Sequence, residues 1–239
     1  MAGGRYRLRS KTNIIKELKN IKKLGYSQIN FVDDTFTANI SRLLELLDKI
    51  KSLTISWTCE SRVDVMAGSR GLEVAKEMAN AGCFSLQFGI ESGSQDLLNK
   101  VRKGTNLNQI EEAISNVRAA GIQVMGSMMI GLPDESPEET ERSIEFATYL
   151  EKEYNIMVLV GITTPYPGTF LYKHAEDLGI DILSKNYDFF NMGSPVIKTP
   201  FYAPLELRNA HMNAMTLLLK DVPKSQIEGL SRSFELLND

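Results

Sequence analysis

An alternation of helix and strand patterns runs through most of this 239-residue sequence and limits the folds that it can adopt. Five times, a stretch with apolar residues at helical spacing is followed by a short apolar run, as in "NLNQIEEAISNVRAAG" and then "IQVMGSMMIG". The short runs are nearly continuous in apolar residues, which is typical of strands covered on both faces. Alternating β and α units imply right-handed crossovers and a parallel sheet, either closed as a barrel or open and doubly wound.

One motif separates these two architectures. A doubly wound sheet usually carries a Gly-rich phosphate-binding turn near its first strand. The sequence contains no G-x-G-x-x-G and no P-loop, so the pattern favours the barrel. We predict an α/β fold with a β/α barrel over residues 1–200 and a C-terminal helical extension of the same domain over residues 201–239.

Charge and hydropathy limit the partners. The net charge of −3, from 27 basic and 30 acidic residues, gives no overall attraction to nucleic acid or to an acidic membrane. No apolar run approaches the ~20 residues that span a bilayer, and the N-terminus lacks the apolar core of a signal peptide. We therefore expect a cytoplasmic protein with no nucleic-acid partner. Cys59 and Cys83 are too few for a disulfide scaffold and lack metal-ligand spacing.

The ends of the predicted strands carry the candidate site, because the chemistry of a β/α barrel lies at the C-terminal ends of its strands. All five end in polar or glycine-rich residues: Asp33, Asp34 and Thr35; Cys59, Glu60, Ser61 and Arg62; Gly89, Glu91, Ser92 and Gly93; Gly131, Asp134 and Glu135; Thr163, Thr164, Tyr166 and Gly168. Helix capping and turn formation would explain such residues after one or two strands. Their presence after all five strands favours a binding site.

Two ligand chemistries fit such a rim. Its carboxylates could ligate a hard cation such as Mg²⁺, or accept hydrogen bonds from an ammonium group and from ribose hydroxyls. His174 and His211 lie elsewhere, which disfavours zinc hydrolysis. No strand end carries a lysine, which disfavours a Schiff-base lyase or aldolase.

Several motifs together resemble a known family. "INFVDDTFT", "WTCESRVD", "AGCFSLQFGIESGSQDLLNKVRKGT", "AAGIQVMGSMMIGLPDESPEET" and "TPYPGTFLY", in this order, resemble the radical S-adenosylmethionine (SAM) superfamily over about residues 5–175. The similarity is to the branch that often carries a cobalamin-binding domain upstream. It implies a partial TIM-type barrel of six β/α units, of which this chain lacks the first strand. It also implies SAM as cofactor and a small-molecule or natural-product substrate.

The resemblance assigns roles to the residues after the first two predicted strands. Asp33 and Asp34 match the motif that contacts the SAM amino group. Glu60 and Arg62 fall where the family places polar contacts, and Arg62 is a candidate for the SAM carboxylate.

The resemblance also covers the next two strands. Glu91 and Ser92 match the motif that binds the ribose, while Met129 and Gly131 belong to the strand that packs on adenine. The family often has a glutamate three residues after that glycine. Here the position is Asp134, with Glu135 one residue later, and either could take the role.

One departure from the family is large. Family members hold a [4Fe-4S] cluster with three cysteines in C-x-x-x-C-x-x-C, and the cluster cleaves SAM to a 5′-deoxyadenosyl radical that abstracts hydrogen. This sequence has no such motif. We expect a fragment of a longer enzyme, inactive alone, whose upstream part holds the cluster and possibly a cobalamin domain. The alternative is a natural cluster-less module for SAM binding or assembly.

Three features stay open at this level. A missing first strand would expose the sheet edge and allow a dimer through it. "PYPGT" and residues 184–195, "SKNYDFFNMGSP", have the composition of substrate-side loops, although connectors share it. Methylation, ring rearrangement, and lipid or natural-product chemistry are not distinguished.

Overall fold

Five parallel strands form one sheet in the computed structural model, which describes residues 8–220. The strands are β1 (Gln28–Phe31), β2 (Ser56–Ser61), β3 (Cys83–Glu91), β4 (Gln123–Ile130) and β5 (Met157–Ile162). Their order across the sheet is their order along the chain. With right-handed crossovers, this order places every connecting helix on the same face, whereas a doubly wound sheet reverses direction. The parallel, barrel-type α/β prediction is confirmed.

Each strand is preceded by one long helix, as the sequence pattern predicts. These helices are α1 (Lys11–Lys23), α2 (Ile40–Lys51), α4 (Gly68–Asn80), α6 (Leu107–Ala119) and α7 (Pro137–Tyr154). Two short helices that the pattern did not predict, α3 (Val63–Met66) and α5 (Gln95–Lys100), follow β2 and β3. No helix within residues 8–220 is long and apolar enough to cross a membrane.

The two faces of the sheet differ in burial. On the helix-covered face, side chains such as Trp57 and Phe88 are fully buried and join the helices in one hydrophobic cluster. Gly126 belongs to this face, since a Cβ there would lie 2.7 Å from Ile90 Cδ1. Successive residues of a strand point to opposite faces, and the alternate positions, such as Gln87 and Met125, are partly exposed. We call this second surface the inner face, because it would line the interior of a closed barrel.

The chain after β5 covers the last strand. It contains α8 (Phe170–Lys173), two short 3₁₀ helices (Glu176–Leu178 and Tyr187–Phe189), an antiparallel pair of strands, β6 (Asp181–Ile182) and β7 (Ile197–Lys198), and α9 (Pro204–Leu218). In α9, Leu207 is buried and the His211 Nε2 atom lies 2.9 Å from the Val160 carbonyl oxygen on β5. The boundary at residue 200 stays a prediction, and residues 221–239 of the predicted extension lie outside the described residues.

Candidate functional site

The loop after β1 folds back onto β2 through aromatic packing. The Phe36 ring stacks on Phe31 at a centroid distance of 4.3 Å and lies 5.6 Å from Trp57. The Phe36 N–H donates to the Glu60 carbonyl oxygen at 3.1 Å. These contacts hold the "DDT" turn beside the end of β2.

The adjacent acids Asp33 and Asp34 have different neighbours. Asp33 helps to line a cavity of about 130 Å³ bounded by α1, α2 and the end of β1. The pKa of the Cys59 thiol is raised, first by its hydrogen bond with Cys83 and by burial, and also by the charges of Glu60 and Asp33. The pKa of Glu60 is raised by burial and then by the charge of Asp34. Asp34 therefore lies near enough to act on the Glu60 carboxyl, while Asp33 lines the cavity on the helix side.

Arg62, the candidate for the SAM carboxylate, is already in an ion pair. Its guanidinium donates two hydrogen bonds of 2.9 Å to the two carboxylate oxygens of Asp64. Half of the Arg62 side chain is exposed, and exposed ion pairs are weak enough to open for a ligand. The contact of Arg62 with the SAM carboxylate stays a prediction.

Glu91 has an unusual backbone at the end of β3. The register between β3 and β4 shifts between Gly89 and Glu91, and Glu91 has a positive φ of 70°. Bulges re-aim side chains, and left-handed backbone at a non-glycine residue costs energy that often marks a functional position. Here the carboxylate reaches Lys103, with Nζ 2.6 Å from Oε1.

Gly89 makes room for this ion pair on the inner face. A Cβ on Gly89 would lie 2.8 Å from Glu91 Oε1 and 3.1 Å from Lys103 Nζ, so the pair lies directly over the glycine. About a quarter of each charged side chain is exposed. Sequence reasoning missed Lys103, because it lies in the loop between α5 and α6 and not at a strand end.

Ser92 lies behind the rim. It is fully buried, and its hydroxyl is 2.9 Å from the Ser143 hydroxyl of α7 and accepts the Ser94 N–H at 2.9 Å. These contacts fix the β3–α5 turn against α7. The predicted ribose contacts of Ser92 and Glu91 stay predictions.

On β4, Met129 is partly exposed on the inner face, as a surface for a flat ligand requires. Gly131 is buried at the following turn with a φ of 84°. A Cβ on it would lie 3.0 Å from Leu207 Cδ1, so this glycine accommodates α9 as well as the turn.

Glu135 anchors the β4–α7 turn. Its Oε2 accepts the Gly131 and Leu132 N–H groups at 2.7 and 2.9 Å, and its Oε1 accepts the Thr140 hydroxyl at 2.9 Å. The pKa of Glu135 is raised to about 7, because burial outweighs the opposing effect of these hydrogen bonds. Asp134 is exposed with a positive φ. Of the two candidate acids, Glu135 is therefore the one that fixes the turn.

The end of β5 is contacted by Met192, which belongs to the 184–195 segment. The Ile162 N–H donates to the Met192 carbonyl oxygen at 2.6 Å, and a Cβ on Gly161 would lie 3.0 Å from Met192 Cβ and 3.5 Å from Met129 Sδ. Met192 thus lies over Gly161, next to Met129. The buried hydroxyl of Thr163 has no hydrogen-bond partner among the described residues.

Clustered metal ligands are absent from the described residues. Across residues 8–220, no group of three or more His, Cys, Asp or Glu residues could hold a metal ion, which gives the Mg²⁺ alternative no support. Cys59 and Cys83 are buried, and neither lies in C-x-x-x-C-x-x-C. They do not fit the ligation of an iron–sulfur cluster.

Comparison with known proteins identifies the family. The Radical SAM superfamily model matches residues 1–147. An uncharacterised methyltransferase of Pyrococcus horikoshii is 35% identical over 230 residues, covering 92% of this chain and 48% of that protein. The bacteriochlorophyllide d C-12(1)-methyltransferase of Chlorobaculum tepidum is 25% identical over 179 residues, covering 73% and 38%.

A solved structure shares the fold. The radical SAM methyltransferase TsrM of Kitasatospora setae, with cobalamin and a [4Fe-4S] cluster bound, has a TM-score of 0.61 at 18% identity, covering 87% of this chain and 42% of that one. The chain spans less than half the length of each of these three proteins. With the family model matching more than half of its residues, the chain belongs to the radical SAM superfamily.

Proposed function

We propose that the protein carrying this chain is a radical SAM methyltransferase, and that this chain supplies the nucleoside part of the SAM site. The observation that carries the proposal is the Glu91–Lys103 ion pair over Gly89, beside Met129 on the next strand. The reaction type is supported by the two relatives described above, both of which are named as methyltransferases.

Separate residues of the inner face suit the ribose, the adenine and the ammonium group of SAM. Of the two carboxylate oxygens of Glu91, only Oε1 has a hydrogen-bond partner among the described residues. The other oxygen, Oε2, is therefore available to accept a hydrogen bond from a ribose hydroxyl. Lys103 orients this carboxylate. Met129 offers an apolar surface for adenine, while Asp34 and Glu60 can accept from the SAM ammonium group. When bound, SAM supplies the methyl group and, after cleavage, the 5′-deoxyadenosyl radical.

The other cofactors are assigned no residue of this chain. The cysteines that hold a [4Fe-4S] cluster in this family are not among these 239 residues. We extend the proposal to cobalamin as a second cofactor of the native protein, because the TsrM structure contains it.

Isothermal titration of this chain with SAM tests the site. Replacing Glu91 with Gln removes a charged acceptor worth about 1.5–3 kcal/mol, so the affinity should fall about ten-fold or more. Glu112→Gln, at an exposed position on α6, is the matched control and should leave the affinity unchanged. Equal affinities of the wild type and Glu91→Gln would show that the ion pair does not face the ligand.

The reaction is tested on the native protein, isolated without oxygen and given SAM labelled in its methyl group. Methyl transfer predicts label in an organic product. Production of 5′-deoxyadenosine without labelled product would point to another radical reaction. A cluster-less SAM-binding module is the second candidate, favoured by the absence of the cysteine motif. SAM binding without cluster absorbance in the native protein would select it.

A further inference from the structure

The inner face is divided into a polar half and an apolar half. On β1 to β3 its residues are polar, and Thr58 donates a 2.8 Å hydrogen bond to Asn30 there. On β4 and β5 the partly exposed positions are mostly methionine and leucine. Met129 is assigned to adenine, and the other positions, together with the loop residue that lies over Gly161, form a surface that we call the methionine wall: Met125, Met157, Leu159 and Met192.

The strand register makes this wall continuous. Met125 is the register partner of Met157, and Ser127 is that of Leu159. The Ser127 hydroxyl donates back to the Phe88 carbonyl oxygen at 3.3 Å, so it is engaged with the neighbouring strand. Within the described residues of β4 and β5, no charged side chain occupies the inner face.

The upper end of the wall is built by a loop outside the barrel pattern. Residues 183–196 leave and return at one point, where β6 pairs with β7 and the Leu183 N–H donates to the Val196 carbonyl oxygen at 2.9 Å. Pinned loops of this kind are frequently functional. Met192 enters the wall from this loop and is 45% exposed, and Phe189 on the same loop is 54% exposed.

Thr163 gives an independent indication of a ligand. It follows β5 and its N–H donates to the Ile130 carbonyl oxygen at 2.8 Å, so it continues the strand geometry. By alternation, its side chain lies on the same face as Gly161 and Leu159. A buried hydroxyl without a partner is costly, and an acceptor on a bound molecule would remove that cost.

We infer that the methionine wall binds the flat, apolar body of the substrate, that Met192 determines how much room this body has, and that Thr163 donates to a polar atom at its edge. Methionine side chains are flexible and polarizable and adapt to aromatic rings, which suits a flat ligand better than a rigid pocket of branched residues does. The inference rests on the proposed function, because it names the substrate class of that site.

Protoporphyrin IX is a suitable probe, since it is flat and largely apolar. Uroporphyrin III is its matched counterpart, with the same macrocycle but carboxylate chains around the whole edge. Fluorescence titration of this chain should show binding of protoporphyrin IX and much weaker binding of uroporphyrin III. Met157→Gln and Met192→Gln, which keep side-chain length, should each weaken protoporphyrin binding by about ten-fold, because they place an amide against an apolar ring.

Two further variants make the result decisive. Met212→Gln changes a methionine that is 55% exposed on α9 and should leave protoporphyrin binding unchanged. Thr163→Val removes the unpaired hydroxyl, so it should fold at least as stably as the wild type and bind the probe several-fold more weakly. If the wall variants bind like the wild type, or if both porphyrins bind equally, the inference is wrong.

The same preparations are titrated with SAM, which separates this inference from the proposed function. SAM binding without protoporphyrin binding would refute the wall and leave the SAM site standing. Protoporphyrin binding that depends on the wall residues, without SAM binding, would refute the SAM site and leave the wall standing. Sedimentation of the free protein tests whether a second copy of the chain occupies the wall. A dimer that dissociates on Met157→Gln would show that it does, and this result would also overturn the inference.

Discussion

The buried carboxyl group of Glu135 should make the stability of this protein depend on pH in an unusual direction. Its pKa of about 7 lies well above the ordinary value of 4.5, because the carboxylate is buried between the β4–α7 turn and α7. A glutamate with a raised pKa in the folded state favours folding in its protonated form. The contribution is therefore complete below about pH 4.5 and is lost as the pH rises through about 7.

The size of the effect follows from the two pKa values, 4.5 and about 7. At about 1.4 kcal/mol per pKa unit, deprotonation of Glu135 costs the folded state about 3 kcal/mol by the time the pH is well above 7. Glu135→Gln mimics the protonated form, since its amide oxygen can accept from the Gly131 and Leu132 N–H groups and its NH₂ can donate to Thr140. The variant should therefore gain about 3 kcal/mol relative to the wild type between about pH 5 and about pH 8.

Urea unfolding followed by the fluorescence of Trp57, the single tryptophan, measures this difference. The wild type and Glu135→Gln are compared at several pH values, so that the titration of all other groups cancels. Glu138→Gln, three residues further along in the first turn of α7, is the matched control, because the pKa of this exposed carboxyl is lowered by hydrogen bonds to its own N–H and to Ser136. Its effect should have the opposite sign. Parallel stability curves for the wild type and Glu135→Gln would refute the titration of Glu135 in this range.

Three further predictions address the site and the core. Gly89→Ala should weaken SAM binding with little change in unfolding free energy, because the added Cβ displaces the flexible ends of Glu91 and Lys103; calorimetry and urea unfolding measure the two quantities. Trp57→Phe should destabilise the fold by about 2–3 kcal/mol in urea unfolding followed by circular dichroism, since it removes buried surface and the 2.8 Å hydrogen bond to the Ala81 carbonyl oxygen. Treatment of this 239-residue chain with iron and sulfide should give no [4Fe-4S] absorbance, and a stable cluster spectrum would contradict our interpretation of its cysteines.

The five helix–strand units and the edge that carries the site were predictable from the sequence, because both depend on local patterns. Helical spacing and continuous apolar runs gave the alternation, and the polar residues after each run identified the C-terminal edge. The direction of each side chain at that edge was less predictable. Asp33 and Asp34 both match the motif that contacts the SAM amino group, but the sequence does not show that the packing of Phe36 on Phe31 holds a turn in which the two carboxylates have different neighbours.

Two residues that the sequence did not single out individually come from loops that return to the sheet. Lys103 pairs with Glu91 across a loop, and Met192 reaches the inner face from a segment whose ends are fixed by β6 and β7. Neither position has a periodicity to identify it. Glu135 could not be identified for a different reason. The spacing from Gly131 left both Asp134 and Glu135 as candidates for the acid of this motif, and only the hydrogen bonds in the folded turn show that Glu135 fixes the turn.

The composition of the inner face itself indicates that a ligand covers it. The helices cover the opposite face, so folding does not require apolar residues on the inner one, and Thr58 and Gln87 show that polar residues are tolerated there. Partly exposed apolar side chains lose about 25 cal/mol of possible stabilisation for each Å² left in water, and contiguous exposed apolar patches usually mark binding surfaces. The apolar residues nevertheless occupy register-matched positions, with Met125 opposite Met157, and they meet Met192 from outside the barrel. A surface that the fold does not need, that is concentrated on two strands and is extended by a separate loop, is best explained by an apolar ligand that covers it.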